Sequence, residues 1–338
     1  MKREIAWGVY LVFILVLSII FYFLFFVNKT CNDGTPYNKC SEIKPYFCSK
    51  GKLIEKASVC GCDSILEIKE DRCISIFQAE PKNITLSYVL RGKKGQINLV
   101  VYKKLYDYLS ELPRYIDSYK NPTLLDFKLK MIDEKQQRKL LLPLVIEIEK
   151  LTKDKTDQAR IAISLVQNIP FGTSNKTLKI GNFAVEYQRY PYEVLYDMQG
   201  VCSEKVELMI FLLREIGYGT ASLYYSLENH EAVGIKCPEE KANIKGYCFV
   251  ETTGPSIITD DRTEYFGIVR KLASSPTITN ISDGISLGNA LYEYGDAKTL
   301  INIREDMKKY GTINPFQYLQ FKNLKRKYNL IDFNKYIF

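Results

Sequence analysis

The sequence contains one histidine, His230, so any chemistry that needs an imidazole has a single candidate. Metal sites built from several histidines, His-Glu-x-x-His and zinc-finger spacings among them, are excluded. Of the nine cysteines, Cys202 stands apart because it opens a long apolar run ending in Leu-Arg-Glu-Ile-Gly217. Val206, Met209, Ile210 and Leu213 fall at helical spacing, and Leu208, Phe211 and Leu212 widen the stripe nearly all round. Such a helix, expected from about Ser203 to Ile216, sits inside a domain rather than on its surface. Gly200 lets the chain turn sharply into it, and Gly217 is a good residue to end it. A sulfur at the start of a buried helix meets unpaired N–H groups and the positive end of the dipole, both of which favour a thiolate. Glu204 and Glu207 oppose that field, so an imidazole partner matters more. The plain alternative is a small buried hydrophobe, the usual state of an unpaired cysteine.

The elements that must bring an imidazole to this sulfur follow directly. Thr220 to Tyr225 reads as a strand, then Glu228 to Lys236, then Gly246 to Glu251, with the polar loop Pro238 to Lys245 making the last two a hairpin. With His230 opposite Glu251, carboxylate and imidazole leave the same sheet face, and the carboxylate fixes the ring tautomer. The other ring nitrogen then takes the thiol proton, which is the arrangement of an activated thiol nucleophile. This register sets Cys237 opposite Ile244, four residues from Cys248 and too far for a disulfide. Either the hairpin is bulged, or these thiols stay reduced, or the register is wrong; the His230–Glu251 register is the expectation carried forward.

The stretch Gln188 to Gly219 resembles the nucleophile segment of the transglutaminase-like superfamily. Tyr190-Pro191, Gly200-Val201-Cys202, Glu204 and Leu213-Arg214-Glu215-Ile216-Gly217-Tyr218 follow its pattern in order, and His230-x-x-Val233 and Phe249-Val250-Glu251-Thr252-Thr253 resemble its two later motifs. The resemblance covers about residues 155–255. It implies an α+β, papain-like core in which the nucleophile helix packs on an antiparallel sheet, with acyl transfer from an amide through a thioester at Cys202, His230 and Glu251. Aspartate is common at the third position of that family, where this chain has Glu251; Asp260 and Asp261 are the fallback. An oxyanion donor is also required, and the Cys202 N–H with the Gln188 side chain are the candidates. The rival class is an inactive scaffold of the same fold that binds peptides or cell-envelope polymers.

Around this core, residues 5–27 form an uncharged apolar run long enough to cross a ~30 Å hydrocarbon layer after a short flank, 1–4. Its Phe25-Phe26-Val27 end is unlike a signal cleavage site, so a single retained membrane anchor is expected. Cys31, Cys40, Cys48, Cys60, Cys62 and Cys73 fall in a loop-rich segment, 31–76, that reads as a disulfide module outside the cytoplasm. A thiolate zinc site is the rival, but no Cys-x-x-Cys pair occurs. Four Asn-x-Ser/Thr sequons, at Asn28, Asn83, Asn175 and Asn280, permit glycosylation there. The main domain is expected over 83–338. It begins with strands Ile84–Arg91 and Gln96–Tyr102 around a Gly92–Gly95 turn, continues as helices over 103–118 and 144–168, and ends in a helical region from about 288. The net charge is +8 in 338 residues, and the Lys322, Lys325, Arg326, Lys327 cluster reads as a solvated helix face. No aromatic-basic pattern points to nucleic acid, no Gly-rich phosphate loop occurs, and no cofactor or metal is expected. The partners expected are the membrane and a peptide, protein or cell-envelope polymer.

Overall fold

The computed structural model describes residues 7, 14–18, 29–63, 66–117, 119, 121–180, 183–262 and 272–330. The expected membrane span lies almost wholly outside these. Among the described residues no helix is long and apolar enough to cross a membrane. The chain falls into two compact units, Met1–Ile76 and Phe77–Phe338.

The first unit is two short hairpins, β1 (Tyr46–Ser49) with β2 (Lys52–Glu55) and β3 (Leu66–Lys69) with β4 (Arg72–Ser75), separated by one helical turn. Among its described residues the buried apolar ones are Cys31, Cys48, Ala57 and Cys60, far too few to hold a fold. Disulfides Cys31–Cys48, Cys40–Cys60 and Cys62–Cys73 do that work, and they leave no thiolate of the six for zinc.

The second unit is mixed α and β. It opens with the hairpin β5 (Pro81–Leu90) and β6 (Lys93–Tyr102). The turn is tighter than expected: Leu90 pairs with Lys93, and Arg91 and Gly92 both take positive φ, 51° and 78°. A two-residue turn of that kind matches strand twist, so Lys93 to Gly95 join the strand. Helices α1 (Lys103–Glu111), α2 (Leu124–Ile132), α3 (Lys135–Leu151) and α4 (Lys155–Gln167) follow. The single helical stretch expected over 144–168 is two helices, because Asp154 caps α4 by accepting from the Asp157 N–H. Helix α2 went unseen in the sequence; the reciprocal Thr123–Asp126 capping box that starts it was the available signal.

After the hairpin β7 (Thr177–Ile180) and β8 (Phe183–Glu186), two helices lead into the sheet: α5 (Pro191–Asp197) and α6 (Cys202–Ile216). The four-stranded antiparallel sheet runs β11 (Tyr247–Val250), β10 (His230–Lys236), β9 (Thr220–Tyr225), β12 (Thr277–Ser282). Helix α6 packs on β9 and β10 and is enclosed by α2, α3, α4 and α5. From Lys205 to Leu213 every residue is completely out of solvent, and two of them, Lys205 and Glu207, are charged. At about 1.5–3 kcal/mol for each large apolar side chain buried, this helix is the centre of the core. Gly217 ends it at φ 113°, as its C-terminal position requires. Helices α7 (Tyr292–Tyr310) and α8 (Pro315–Tyr328) close the described chain.

The β10–β11 register differs from the expectation by two residues. Val233 faces Val250 and Ile235 faces Cys248, and the Cys237 N–H donates to the Gly246 carbonyl at 3.1 Å. The connection is long, with its own 3-10 turn at Glu239–Lys241 and a tight Ile244–Tyr247 reversal, so it does not dictate how the strands align. Burial of Val233, Ile235, Cys248 and Val250 against the helices does. In this register Cys237 and Cys248 are diagonal neighbours, with Cα atoms 5.7 Å apart, and they form a fourth disulfide. A shift of two keeps every side chain on its face. His230 and Glu251 therefore still share one, meeting diagonally rather than directly opposite.

Candidate active site

Cys202 is the free cysteine among the described residues, half-buried at the first position of α6, where its N–H has no partner inside the helix. The chain before it is fixed by a short parallel bridge: Gly200 N–H donates to the Pro170 carbonyl and Gly172 N–H to the Gly200 carbonyl, each at 3.2 Å. Gly200 is required here for space rather than for an unusual backbone. Its φ is not positive, the left-handed residue of this turn being Met198 at 54°, but a Cβ on Gly200 would lie 3.2 Å from both Lys205 Cγ and Val194 Cγ1.

Glu204, which the sequence marked as opposing the helix dipole, is a structural anchor. It accepts from the Val201 N–H at 2.9 Å, the Arg189 N–H at 2.7 Å and Arg189 Nη1 at 3.0 Å. Arg189 also holds Asp197 at 2.8 Å and the Gly172 and Thr173 carbonyls. One buried guanidinium thus fastens the start of α6 to the chain before it. Sequence reasoning missed Arg189, since an isolated arginine beside Tyr190-Pro191 reads as a surface charge.

His230 and Glu251 are both 2% exposed, and His230 Nε2 lies 2.9 Å from Glu251 Oε2. Cys202 lies near enough to the imidazole to act on its charge state. Cys202, the solitary histidine and Glu251 therefore fall in one neighbourhood, with the ring bonded to Glu251. Burial disfavours the charged ring, yet the Glu251 charge and the bonds to Cys202 and Glu251 outweigh it and raise the imidazole pKa to about 10. Burial alone would raise the Glu251 carboxyl, but His230 and the Thr253 bonds prevail and hold it below its ordinary value.

Glu251 is itself rigid. Its Oε1 accepts from the Thr252 N–H (2.9 Å), the Thr253 N–H (2.8 Å) and the Thr253 hydroxyl (2.8 Å), and its carbonyl accepts from Gln167 Nε2 at 2.9 Å. The extra methylene relative to aspartate is thereby accommodated by the Glu-Thr-Thr turn. Asp260, a fallback acid, is committed to Arg304 at 2.8 Å. Asp261 lies beside it, its carboxyl raised first by burial and then by the Asp260 charge.

Gln188, the candidate oxyanion donor, gives one amide N–H to Glu207 Oε1 at 2.8 Å. That carboxyl belongs to a buried network: Lys128 Nζ lies 3.0 Å from Glu207 Oε1 and 2.8 Å from Glu231 Oε1, and Glu231 also accepts from the Ser222 hydroxyl. One ammonium cannot balance two carboxylates. Glu207 Oε2 finds no partner among the described residues, and burial, partly offset by Lys128, pushes Glu207 up to about 8. Its folded pKa lies above the unfolded 4.5, so its contribution to stability is complete below pH 4.5 and lost as pH rises through about 8. Glu207→Gln removes that loss. Urea unfolding should show the variant gaining on wild type by a few kcal/mol between pH 4.5 and 8, at about 1.4 kcal/mol per pKa unit. An equal difference at both ends would contradict the assignment.

No family model matches this chain, and no curated protein is detectably similar in sequence. Among solved structures, calcium-bound LapG of Legionella pneumophila is similar over 52% of this chain and 98% of its own, at 15% identity and a TM-score of 0.27. A superposition that loose leaves fold and chemistry to be judged on the chain's own geometry.

Proposed function

We propose that this protein is a transglutaminase-like thiol hydrolase or acyltransferase that acts on peptide or isopeptide amides through a thioester on Cys202. The observation that carries this reading is a half-buried free cysteine at a helix N-terminus, near enough to the sole imidazole to act on it, with a carboxylate 2.9 Å from the ring. In the proposed reaction the Cys202 thiolate attacks the amide carbonyl carbon, and the Cys202 N–H, aided by the second Gln188 amide N–H, receives the developing oxyanion. The His230 imidazolium gives its proton to the departing nitrogen, the C–N bond breaks, and a thioester remains. Water or an amine then attacks the thioester while His230 takes its proton, and Cys202 leaves as thiolate. Glu251 holds the ring orientation throughout.

The same proposal puts the protein outside the cytoplasm, tethered by residues 5–27. Four disulfides beside one free thiol support an oxidising compartment. The test is direct: the full chain is incubated with a mixed peptide library and a labelled primary amine. Expected products are new carboxyl termini or amine-labelled peptides, with an acylated Cys202 in acid-quenched intact mass, all absent from Cys202→Ala. Neither product nor acyl-enzyme from wild type would overturn the reading.

A further inference from the structure

Lys205 is completely out of solvent, three residues after Cys202 and therefore on the same helix face. Among the described residues its Nζ has one hydrogen-bond partner, the Ile169 carbonyl at 2.6 Å, where an ammonium could make three such bonds. A buried lysine is costly, and an apolar side chain of the same length would fill the space more cheaply. The charges around it give a reason for its presence. Cys202 on its own helix and Glu251, just after β11, both lie near enough to act on its charge. His230, on β10, is bonded to Glu251 and lies near Cys202. Glu204, also on α6, is already balanced by Arg189. The segment 169–172 packed against it offers carbonyls and no charged side chain.

The charge balance is simple. An imidazolium and the Glu251 carboxylate cancel, so forming the Cys202 thiolate leaves one uncompensated negative charge in a low-dielectric site. A protonated Lys205 cancels it. We propose that Lys205 is a positioning residue for the nucleophile: its buried ammonium supplies the positive charge that lets Cys202 ionise beside an already ionised His230–Glu251 pair. Burial also pulls the lysine down to about 7, opposed by Glu251 and Cys202. This inference rests on the thiol-nucleophile reading above.

The experiment compares pH profiles of iodoacetamide alkylation at Cys202, followed by intact mass, in wild type, Lys205→Met and Lys205→Arg. Disulfide cysteines do not react, so one site is read. Lys205→Met should move the profile upward by about one pH unit and slow alkylation at pH 6.5 by ~10-fold. Lys205→Arg, which keeps the charge, should restore most of the rate. Thermal unfolding confirms that each variant folds, and if Arg does not fit, Lys205→Gln serves as a second neutral variant that must behave like Met. Superimposable wild-type and Met profiles would overturn the proposal. The wild-type curve tests the nucleophile separately: a profile like that of a model thiol would sink the enzyme reading, whereas the wild-type–Met difference decides the lysine.

Discussion

His230→Ala is expected to lower turnover by ~1,000-fold or more, and to reduce Cys202 alkylation at pH 7 to the rate of an ordinary exposed thiol. The chain has no second histidine to substitute, and the imidazole is asked to do two things that fail together. In the proposed mechanism it would stabilise the thiolate as an ion pair and return a proton to the leaving nitrogen; loss of a positioned acid–base alone costs about 100- to 10,000-fold. Because the two residues act as a unit, Cys202→Ala combined with His230→Ala should be no worse than either alone. Stopped assays on the library substrate, paired with alkylation rates, check both statements. A His230→Ala protein that keeps more than about a tenth of wild-type turnover would remove histidine from the mechanism.

Glu251→Gln separates the carboxylate's charge from its shape. The amide can still hold the ring, but its protonated form loses the anion that stabilises it, so the imidazole pKa should fall from about 10 toward the ordinary 6.5. Turnover should drop by about 100- to 10,000-fold. The deficit should be larger at pH 8.5 than at pH 6, because only at the lower pH does the variant ring remain protonated. The stability effect has a defined sign. In wild type the folded pKa exceeds the unfolded 6.5, so stabilisation by the pair is complete below pH 6.5 and lost as pH rises through about 10. Denaturant unfolding of Glu251→Gln should lose the part of the pH slope in that window which His230 contributes. A deficit independent of pH would mean that Glu251 acts only by packing.

The parts of this arrangement that are local in the chain were legible before any coordinates. Helix α6 and strand β9 declared themselves through the apolar spacing from Val206 to Leu213, the stop at Gly217 and the β-rich Thr220–Tyr225 run. The shared face of His230 and Glu251 followed from strand parity alone, which survives a register error of two residues. The register itself did not follow. It is set by which of Val233, Ile235, Cys248 and Val250 meet the helices, a tertiary matter, and the error hid the Cys237–Cys248 disulfide. Buried charge was the other blind spot. Lys128, Arg189, Lys205 and Glu207 look like solvated positions on their own elements, and only partners 15 to 103 residues away reveal them as interior. Even the basic cluster near the chain end is partly engaged, Lys327 lying 2.5 Å from Asp296 and 3.7 Å from the Tyr292 ring centre.

A chain with a single histidine offers an unusually clean spectroscopic handle. Nitrogen-15 chemical shifts of the His230 ring can be followed from pH 5 to 11 in the full-length protein, with Cys202 free and with its thiol blocked as the methyl disulfide. If sulfur, ring and Glu251 form one hydrogen-bonded unit, both nitrogens stay protonated to pH about 10, and blocking the thiol moves the midpoint down. A midpoint near 6.5 that ignores the block would mean that the ring and the sulfur do not act on one another.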